Sequence, residues 1–319
     1  LTYTNIGGFA QITYSNEKFT FITGGRFDNH SNYGSSFNPR IAGLFNVTDK
    51  ISLRGSFNTA FKAPSPYQIY NSVAIPVEEN GIIVGVDYWG IPNTNLKPEE
   101  LTSYEFGIRG IITPQISVEV VGFRNQIKGL ISSIQGVKLD SNIYCTLRDT
   151  FAGTFVNDNN AISTLYGLDF ILNFREIVKP IHLNANLYVS YFKGEETLPV
   201  SGDVIDVCRS MPQILAKFRI NFTPIRNFYV SIDNIYSSEW YVRNISNQIE
   251  YKNPLKKNDG FYTMDLVLTY KIKNLSLLLK INNVFDKLYG GIEAYGGSAD
   301  MKYNPQTRRV VYGGITINF

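Results

Sequence analysis

The sequence predicts an all-β fold, an antiparallel transmembrane β-barrel, and three observations carry that expectation. Segments in which apolar and polar residues alternate with period two recur along nearly all of the 319 residues. The connections between those segments sort by length, short on one side and long on the other. The chain closes on RVVYGGITINF, where Val311, Gly313, Ile315, Ile317 and Phe319 share one face and Tyr312, Thr316 and Asn318 the other.

About thirteen strands are expected. The first three, near 5–14, 18–27 and 38–46, alternate weakly. In 51–58, ISLRGSFN, Ile51, Leu53 and Phe57 oppose Ser52, Arg54, Ser56 and Asn58. Strands over 101–112, 116–124 and 166–175 follow. In 183–191, Leu183, Ala185, Leu187, Val189 and Tyr191 oppose Asn184, Asn186, Tyr188 and Ser190. In 216–222, Ala216, Phe218, Ile220 and Phe222 oppose Lys217, Arg219 and Asn221. A weaker strand at 228–236 precedes 262–271, 275–284 and 309–319. The last has the length of about ten residues that crosses a bilayer at a tilt.

The short connections are SNEK (15–18), VTDK (47–50), TPQ (113–115), EIVKP (176–180), TPIR (223–226) and KIKN (271–274). The long ones are about 10 residues after the second strand, about 40 over 61–100, about 30 over 129–160, and about 15 to 25 elsewhere. A soluble sandwich has no reason to sort its loops this way, whereas an outer-membrane barrel does.

Composition permits this reading. Aromatics reach 14%, with 21 Tyr, 21 Phe and 26 Gly, a balance suited to strands joined by many turns. Mean hydropathy is −0.10, which by itself would pass for a soluble protein. No window approaches the roughly 18 apolar residues of a membrane helix. The most apolar stretch, LSLLLKINNVF (275–285), is interrupted by Ser276, Lys280 and two asparagines. A helical membrane protein is excluded; a barrel, with its weak alternating signal, is not. Net charge is +3, from 30 basic and 27 acidic residues interspersed, so nothing suggests nucleic acid. The chain starts at Leu1 with neither an initiator methionine nor a signal peptide, and a mature product or a fragment is expected.

The polar faces are expected to line a wet lumen. They carry Arg54, Arg109, Arg124, Arg175, Lys217, Arg219, Lys271 and Lys280 beside Glu105, Glu119, Asp169, Asp233 and Asp265. So many charges cannot sit in a dry core, where an unpaired charge is prohibitively costly.

Several stretches resemble the C-terminal part of the TonB-dependent outer-membrane receptor family. FNTAFKAPSPYQIYN (57–71) resembles that family's strand ending in Phe-Arg/Lys-Ala-Pro with an aromatic loop behind it. NTNLKPEELTSYEFGIRG (93–110) is similar to its N-P-N-L-K-P-E box followed by Y-E-x-G, departing at Thr94 where proline is usual. STLYGLDFILNF (163–174) resembles its Y-G-L/F-D/E strand, and NNVFDKLYG (282–290) its N-N-L/V-F-D/N-K-x-Y segment. The terminal aromatic strand completes five ordered matches over 57–319.

The resemblance implies a C-terminal portion of a 22-stranded barrel with a globular plug in its lumen. Residues 1–319 would be the last thirteen strands, with the plug and the first strands absent from this chain. It implies an active transporter that imports a scarce, bulky nutrient: an iron–siderophore, haem, cobalamin, sugar or metal complex. The ligand would bind at the extracellular loops. The energising partner would be the TonB complex, acting through the absent N-terminal region, and the surroundings would be outer-membrane lipid or lipopolysaccharide in a Gram-negative bacterium. A passive porin and a surface adhesion barrel stay open as alternatives, as does a small barrel of twelve or fourteen strands.

No enzyme, cofactor, catalytic set or dedicated metal site is expected. His30 and His182, the only histidines, fall at opposite ends of the barrel, which leaves a phospholipase-like barrel a weak alternative. The family's haem receptors place a ligating histidine between the two boxes; 65–92 has none, so only a tyrosine ligand would remain there. Tyr67, Tyr70, Tyr88 and Trp89 in that loop could stack on a ligand or belong to an interfacial girdle. Arg148, Arg209 and Arg243, in or at the edge of other long loops, could attract an anionic chelate or simply be solvated. NDNN (157–160) has oxygen ligands but lacks calcium-site spacing. Asn93, Asn95 and Glu99 are expected to secure the loop's return to the rim. Cys145 and Cys208 lie on the same side in neighbouring loops, and a disulfide between them is feasible in an oxidising periplasm.

Overall fold

The computed structural model describes residues 3–71, 73–135, 155–197, 204–206, 211–241, 257–290 and 305–318. In chain order these form β1 (Asn5–Ser15), β2 (Phe19–His30), β3 (Gly34–Thr48), β4 (Ile51–Lys62), a short helix α1 (Pro66–Tyr70), β5 (Val73–Glu79), β6 (Ile82–Ile91), β7 (Glu99–Thr113) and β8 (Ile116–Gln135). There follow β9 (Phe155–Val178), a 3-10 turn at Lys179–Ile181, β10 (Leu183–Thr197), β11 (Val204–Asp206), β12 (Ile214–Ile225), β13 (Phe228–Ser237), β14 (Trp240–Tyr241), β15 (Lys257–Asn258), β16 (Phe261–Ile272), β17 (Leu275–Asn282) and β18 (Val310–Ile317).

Thirteen of these strands form one antiparallel meander, each paired with its sequence neighbours, from β1 at one edge to β18 at the other. They coincide with the thirteen expected from alternation. The remaining strands decorate the long-loop end: β5 and β6 form a hairpin whose last residues run parallel to β9, β11 extends β10, and β14 pairs with β15.

Register sorts every strand into two faces. Reading straight across, Asn186, Arg219, Asp233 and Asp265 lie on one face; Leu187, Phe218, Asn234 and Met264 lie on the other. The second face is a continuous belt of exposed large apolar side chains, among them Phe106, Ile108, Leu168, Phe170, Leu277 and Ile315. A soluble surface does not carry such a patch; lipid covers it.

Two aromatic rows bound the belt. On five strands, outward aromatics stand eight positions apart: Phe19 and Phe27, Phe37 and Phe45, Tyr166 and Phe174, Phe228 and Tyr236, Tyr262 and Tyr270. They line up across strands, Phe19 opposite Phe45, Phe27 opposite Phe37, Phe228 opposite Tyr270 and Tyr236 opposite Tyr262. Eight residues of strand span about 27 Å. At a tilt of about 40° this projects to about 20 Å, which the reach of the rings brings to the apolar band of about 25 Å.

The structure corrects three expectations. Arg124 faces outward, not into the lumen: it lies directly opposite Tyr104 and Tyr166, both on the lipid-facing side. The remaining twelve charges expected to line the lumen do share the inner face. The connection after β2 is three residues, not about ten, because pairing continues to His30 opposite Gly34. Gly34 adopts φ +79°, and the ring Nδ1 of His30 accepts from the Asn32 N–H at 3.1 Å. Residues 73–91, read as loop, are the β5–β6 hairpin, turned by Asn80 and Gly81 at φ +52° and +78°.

Candidate functional site at the long-loop rim

The long-loop end is organised by side chains that bind backbone. After β4, Pro64 and Pro66 end the strand and open α1. Ser65 caps the helix: its hydroxyl accepts from the Gln68 N–H at 3.2 Å while Gln68 Oε1 accepts from the Ser65 N–H at 2.9 Å.

The polar hook that returns this loop to β7 is then locked to β8 and β9. Asn93 Nδ2 donates to the Asn157 carbonyl at 2.9 Å, and Asn157 Nδ2 donates to the Gln68 carbonyl at 2.9 Å. The Asn159 amide accepts from the Lys97 N–H at 2.7 Å and donates to the Lys97 and Gly129 carbonyls at 2.8 and 2.7 Å. Glu99, only 6% exposed, accepts from the Ile131 N–H at 2.9 Å and from Lys62 Nζ at 3.2 Å. Ile69, Leu96 and Ala161 are buried among the same segments. The rim-securing role expected of Asn93 and Glu99 is what they perform. Asn95 enters through its N–H, which donates to Asn93 Oδ1 at 3.0 Å. NDNN supplies clamps, with Asn157 and Asn159 engaged on backbone.

NNVFDKLYG forms a second hook. Asn283, 3% exposed and at φ +49°, donates through Nδ2 to the Lys287 carbonyl at 2.8 Å and accepts from the Lys287 N–H at 2.9 Å. Its own N–H donates to Asp265 Oδ1 at 2.7 Å. Asp286 accepts from Arg308 Nε at 2.9 Å and from the Arg309 N–H at 3.0 Å. The Arg308 guanidinium, with the Arg309 N–H behind it, pulls the Asp286 carboxyl down to about 2.

An aromatic cluster stands at the tip of β2 and β3. The His30 ring stacks between Tyr33, at 4.4 Å, and Tyr3, at 5.1 Å between centroids. Tyr33 donates to the Pro64 carbonyl at 3.0 Å, tying this turn to the start of α1. Burial pushes the Tyr33 phenol above its ordinary value, and the neighbouring Tyr70 and Tyr3 phenols push the same way. Tyr33 therefore stays a neutral donor and is not poised as a phenolate ligand. A cavity of about 620 Å³ opens beside it, bordered by Asp28, His30, Tyr33, Asn38 and Lys97.

Below the rim the inner wall is polar and largely paired. Arg26 bridges Asp28 at 2.6 Å, Arg54 bridges Glu119 at 3.0 Å, and Arg219 pairs with Asp233. Tyr188 and Ser190 donate to Asp169 at 3.0 and 2.6 Å. Arg40, which borders an open hollow of about 510 Å³ with Phe9, Gln11 and Arg26, has no ion-pair partner among the described residues.

Of the residues expected at a ligand site, Tyr67 and Tyr70 stand on α1, 71% and 40% exposed. Tyr88 and Trp89 belong to β6, and the placement of their side chains is not described. Arg148, Arg209, Arg243, Cys145 and Cys208 lie outside the described residues. His30 is at the long-loop end, whereas His182 lies in the turn between β9 and β10, 3.0 Å from Glu176. Sequence reasoning missed Tyr3 and Tyr33. The HSNYG run at 30–34 offered a signal, since a histidine and a tyrosine three apart before glycine suit a compact turn.

Comparison with known proteins places this geometry. Residues 1–284 match the family described as TonB dependent receptor-like, beta-barrel. An iron-regulated outer membrane virulence protein of Vibrio cholerae is 27% identical over 135 residues, 42% of this chain and 20% of that protein. A vitamin B12 transporter of Photobacterium profundum is 25% identical over 277 residues, 85% of this chain and 37% of that protein. A crystal structure of a mutant ferric enterobactin receptor from Pseudomonas aeruginosa superposes with a TM-score of 0.75 at 18% identity, over 99% of this chain and 45% of that one. The chain thus spans less than half the length of the relatives it matches. It belongs to the TonB-dependent receptor-like β-barrel family of the outer membrane.

Proposed function

We propose that these thirteen strands are the C-terminal part of a 22-stranded barrel. Its missing strands and plug would precede Leu1, and the whole would be a receptor that imports a bulky iron chelate. The TonB complex would energise it through that preceding region. The observation that carries the ligand class is the rim cluster. Tyr3, His30 and Tyr33 present stacked rings beside a 620 Å³ cavity, and Tyr67 on α1 is 71% exposed at the same end. Flat π-faces suit the catecholate rings of a siderophore. The guanidinium of Arg40 on the inner wall, without an ion-pair partner among the described residues, suits the negative charge such a chelate carries. Haem fits less well: 65–92 lacks a histidine, and Tyr33 is held neutral. A Cys145–Cys208 disulfide would brace two neighbouring long loops, and Arg148 and Arg209 in them, with Arg243 in a further loop, would add positive charge at the mouth.

The test is growth of cells carrying the intact protein in iron-limited medium. A ferric catecholate supplied as sole iron source should support growth only when both this protein and TonB are present. Growth unchanged by deleting the protein would refute iron import. TonB-independent ion conductance in planar bilayers would favour a passive pore. Intact mass of the purified protein checks the architecture separately: a mass near 36 kDa, that of this chain, leaves no room for a plug.

A further inference from the structure

Pairing between β3 and β4 stops short of their upper ends. The ladder rises from Thr48 opposite Ile51 to Arg40 opposite Asn58, yet β3 begins at Gly34 and β4 runs on to Lys62. Beyond Arg40 each strand is paired on its far side alone, β3 with β2 and β4 with β7. Pro39 gives the reason. By continuation of the register it comes next, opposite Thr59, and it has no N–H to donate. The Thr59 hydroxyl donates to the Pro39 carbonyl instead, at 3.4 Å. Higher up, a side chain spans the gap: Tyr33 donates to the Pro64 carbonyl at 3.0 Å. Between these two ties lies the cavity of about 620 Å³, whose walls include Ser35, Phe37 and Pro39 of β3 and Thr59, Ala60 and Phe61 of β4.

Backbone direction fixes what this slot presents. The Pro39 carbonyl faces β4, and groups two residues apart on a strand face the same way. The N–H and C=O of Phe37 and Ser35 therefore point into the slot from one wall. Those of Phe61, opposite Phe37 in the continued register, point in from the other. None of these groups has a hydrogen-bond partner among the described residues. The slot opens at and above the upper aromatic row of Phe27 and Phe37, where water reaches the backbone and leaving it unpaired is tolerated.

Two facing strand edges with a cavity between them suit a strand. An extended segment would bond to both edges at once, antiparallel to one and parallel to the other, because β3 and β4 run oppositely. Its side chains would alternate between two surroundings. Phe37, 65% exposed, and Phe61 flank the outer side; Ser36, Asn38 and Ala60 flank the inner one. The occupant is thus a segment in which apolar and small polar residues alternate. We propose that the unpaired edges of β3 and β4 form a binding slot for an extended peptide of another polypeptide, held by strand addition. The slot and the stacked rings meet at Tyr33 but suit different chemistry, the rings a flat face and the edges a backbone. The inference does not rest on the ligand class proposed above, and its test involves no iron.

The intact protein carrying this chain would be isotope-labelled, held in detergent micelles and followed by amide hydrogen exchange with NMR readout. In the free protein the N–H groups of Ser35, Phe37 and Phe61 should exchange at least about tenfold faster than those of Ser36, Asn38 and Ala60, which face paired neighbours. The probe is a blocked hexapeptide of alternating valine and threonine. In large excess it should slow the three fast amides by about tenfold or more. The same peptide N-methylated on alternate residues cannot donate along one edge and should bind at least about fivefold more weakly, the size of one hydrogen bond. Phe37→Pro removes one slot N–H, leaves the bonds to β2 in place, and should weaken binding by a similar factor. Slow exchange of Phe37 and Phe61 in the free protein would overturn the inference, because the edges would already be paired. Failure of the hexapeptide to protect them would overturn it too, as would equal binding of the N-methylated form. These three readouts stand whether or not Phe37→Pro folds.

Discussion

Asn159→Ala tests whether the rim hook is held by one amide. The substitution removes the bond from the Lys97 N–H and the bonds to the Lys97 and Gly129 carbonyls. The two bonds to Lys97 are solvent-exposed, so each is taken at the low end, about 0.5 kcal/mol; the part-buried bond to Gly129 contributes about 1 kcal/mol. The expected loss is about 2 kcal/mol, which multiplies local opening about thirtyfold. The loss is local, because the strands below keep their ladders. Hydrogen exchange followed by mass spectrometry should therefore show protection falling in peptides covering 95–99 and 129–131. Peptides from the middle of β8, around Val120, should not change. Asn159→Asp should be no better than alanine: it keeps an acceptor for the Lys97 N–H but turns a second acceptor toward two carbonyls. Unchanged protection at Lys97 would show that the hook stands without Asn159. An equal loss at Val120 would show that the clamp supports the whole sheet, and either result refutes the reasoning.

Face assignment is tested by neighbours in β13. Ile232 lies outward midway between Phe228 and Tyr236, so Ile232→Lys should lower unfolding stability in lipid vesicles by about 2–4 kcal/mol. Ser231→Lys, on the luminal face, should change it by less than about 1 kcal/mol, and equal effects would mean the faces are misassigned. Asp286 sits at about 2 in the folded protein, below its ordinary 3.8. Its contribution to the second hook is therefore complete above about pH 4 and lost as pH falls through about 2. Pepsin cleavage at the exposed Phe285 and Leu288, corrected for the enzyme's own pH profile, should rise across that window in wild type. In Asp286→Asn it should already be high at pH 4 and flat below it. Thiol titration of the native protein with and without reductant should reveal two thiols only after reduction if Cys145 and Cys208 are bonded.

The sheet was legible because period-two alternation is imposed by lipid on one side and water on the other, and few other folds demand it of so many strands. What alternation could not fix was where strands stop. β9 runs 24 residues, yet only 166–175 reads as strand, since above the membrane both faces are polar and the period disappears. Arg124 was misplaced for a related reason. GFR at 122–124 follows VEVV, where inner Val121 and outer Val120 are both apolar, so the phase of β8 is ambiguous until its partners fix it. The β5–β6 hairpin carries a readable Asn-Gly turn, but nothing in the length of 61–100 distinguishes a hairpin from a loop. The rim hooks were legible as motifs and only partly as contacts. Asn159 grips Lys97 across 62 positions, and a separation of that size leaves no periodic trace.

The motif residues at the rim serve architecture. Asn93, Glu99, Asn283 and Asp286 spend their polar groups on backbone or on one another's loops. A side chain so engaged can touch a ligand only by giving up a bond that closes a loop. The recognisable segments therefore encode how the chain returns to the barrel; in the proposed receptor, ligand choice would fall to groups they leave out. Around the mouth, Tyr3 and Tyr67 stand outside the paired strands, whereas His30 ends β2 opposite Gly34 and Tyr33 holds the Pro64 carbonyl. Relatives named for iron regulation and for vitamin B12 resemble this chain at 27% and 25% identity. Replacing Tyr3, His30 and Tyr33 together should then change the ligand while leaving strand registers and both hooks intact, whereas replacing Asn283 should loosen the rim whatever the ligand.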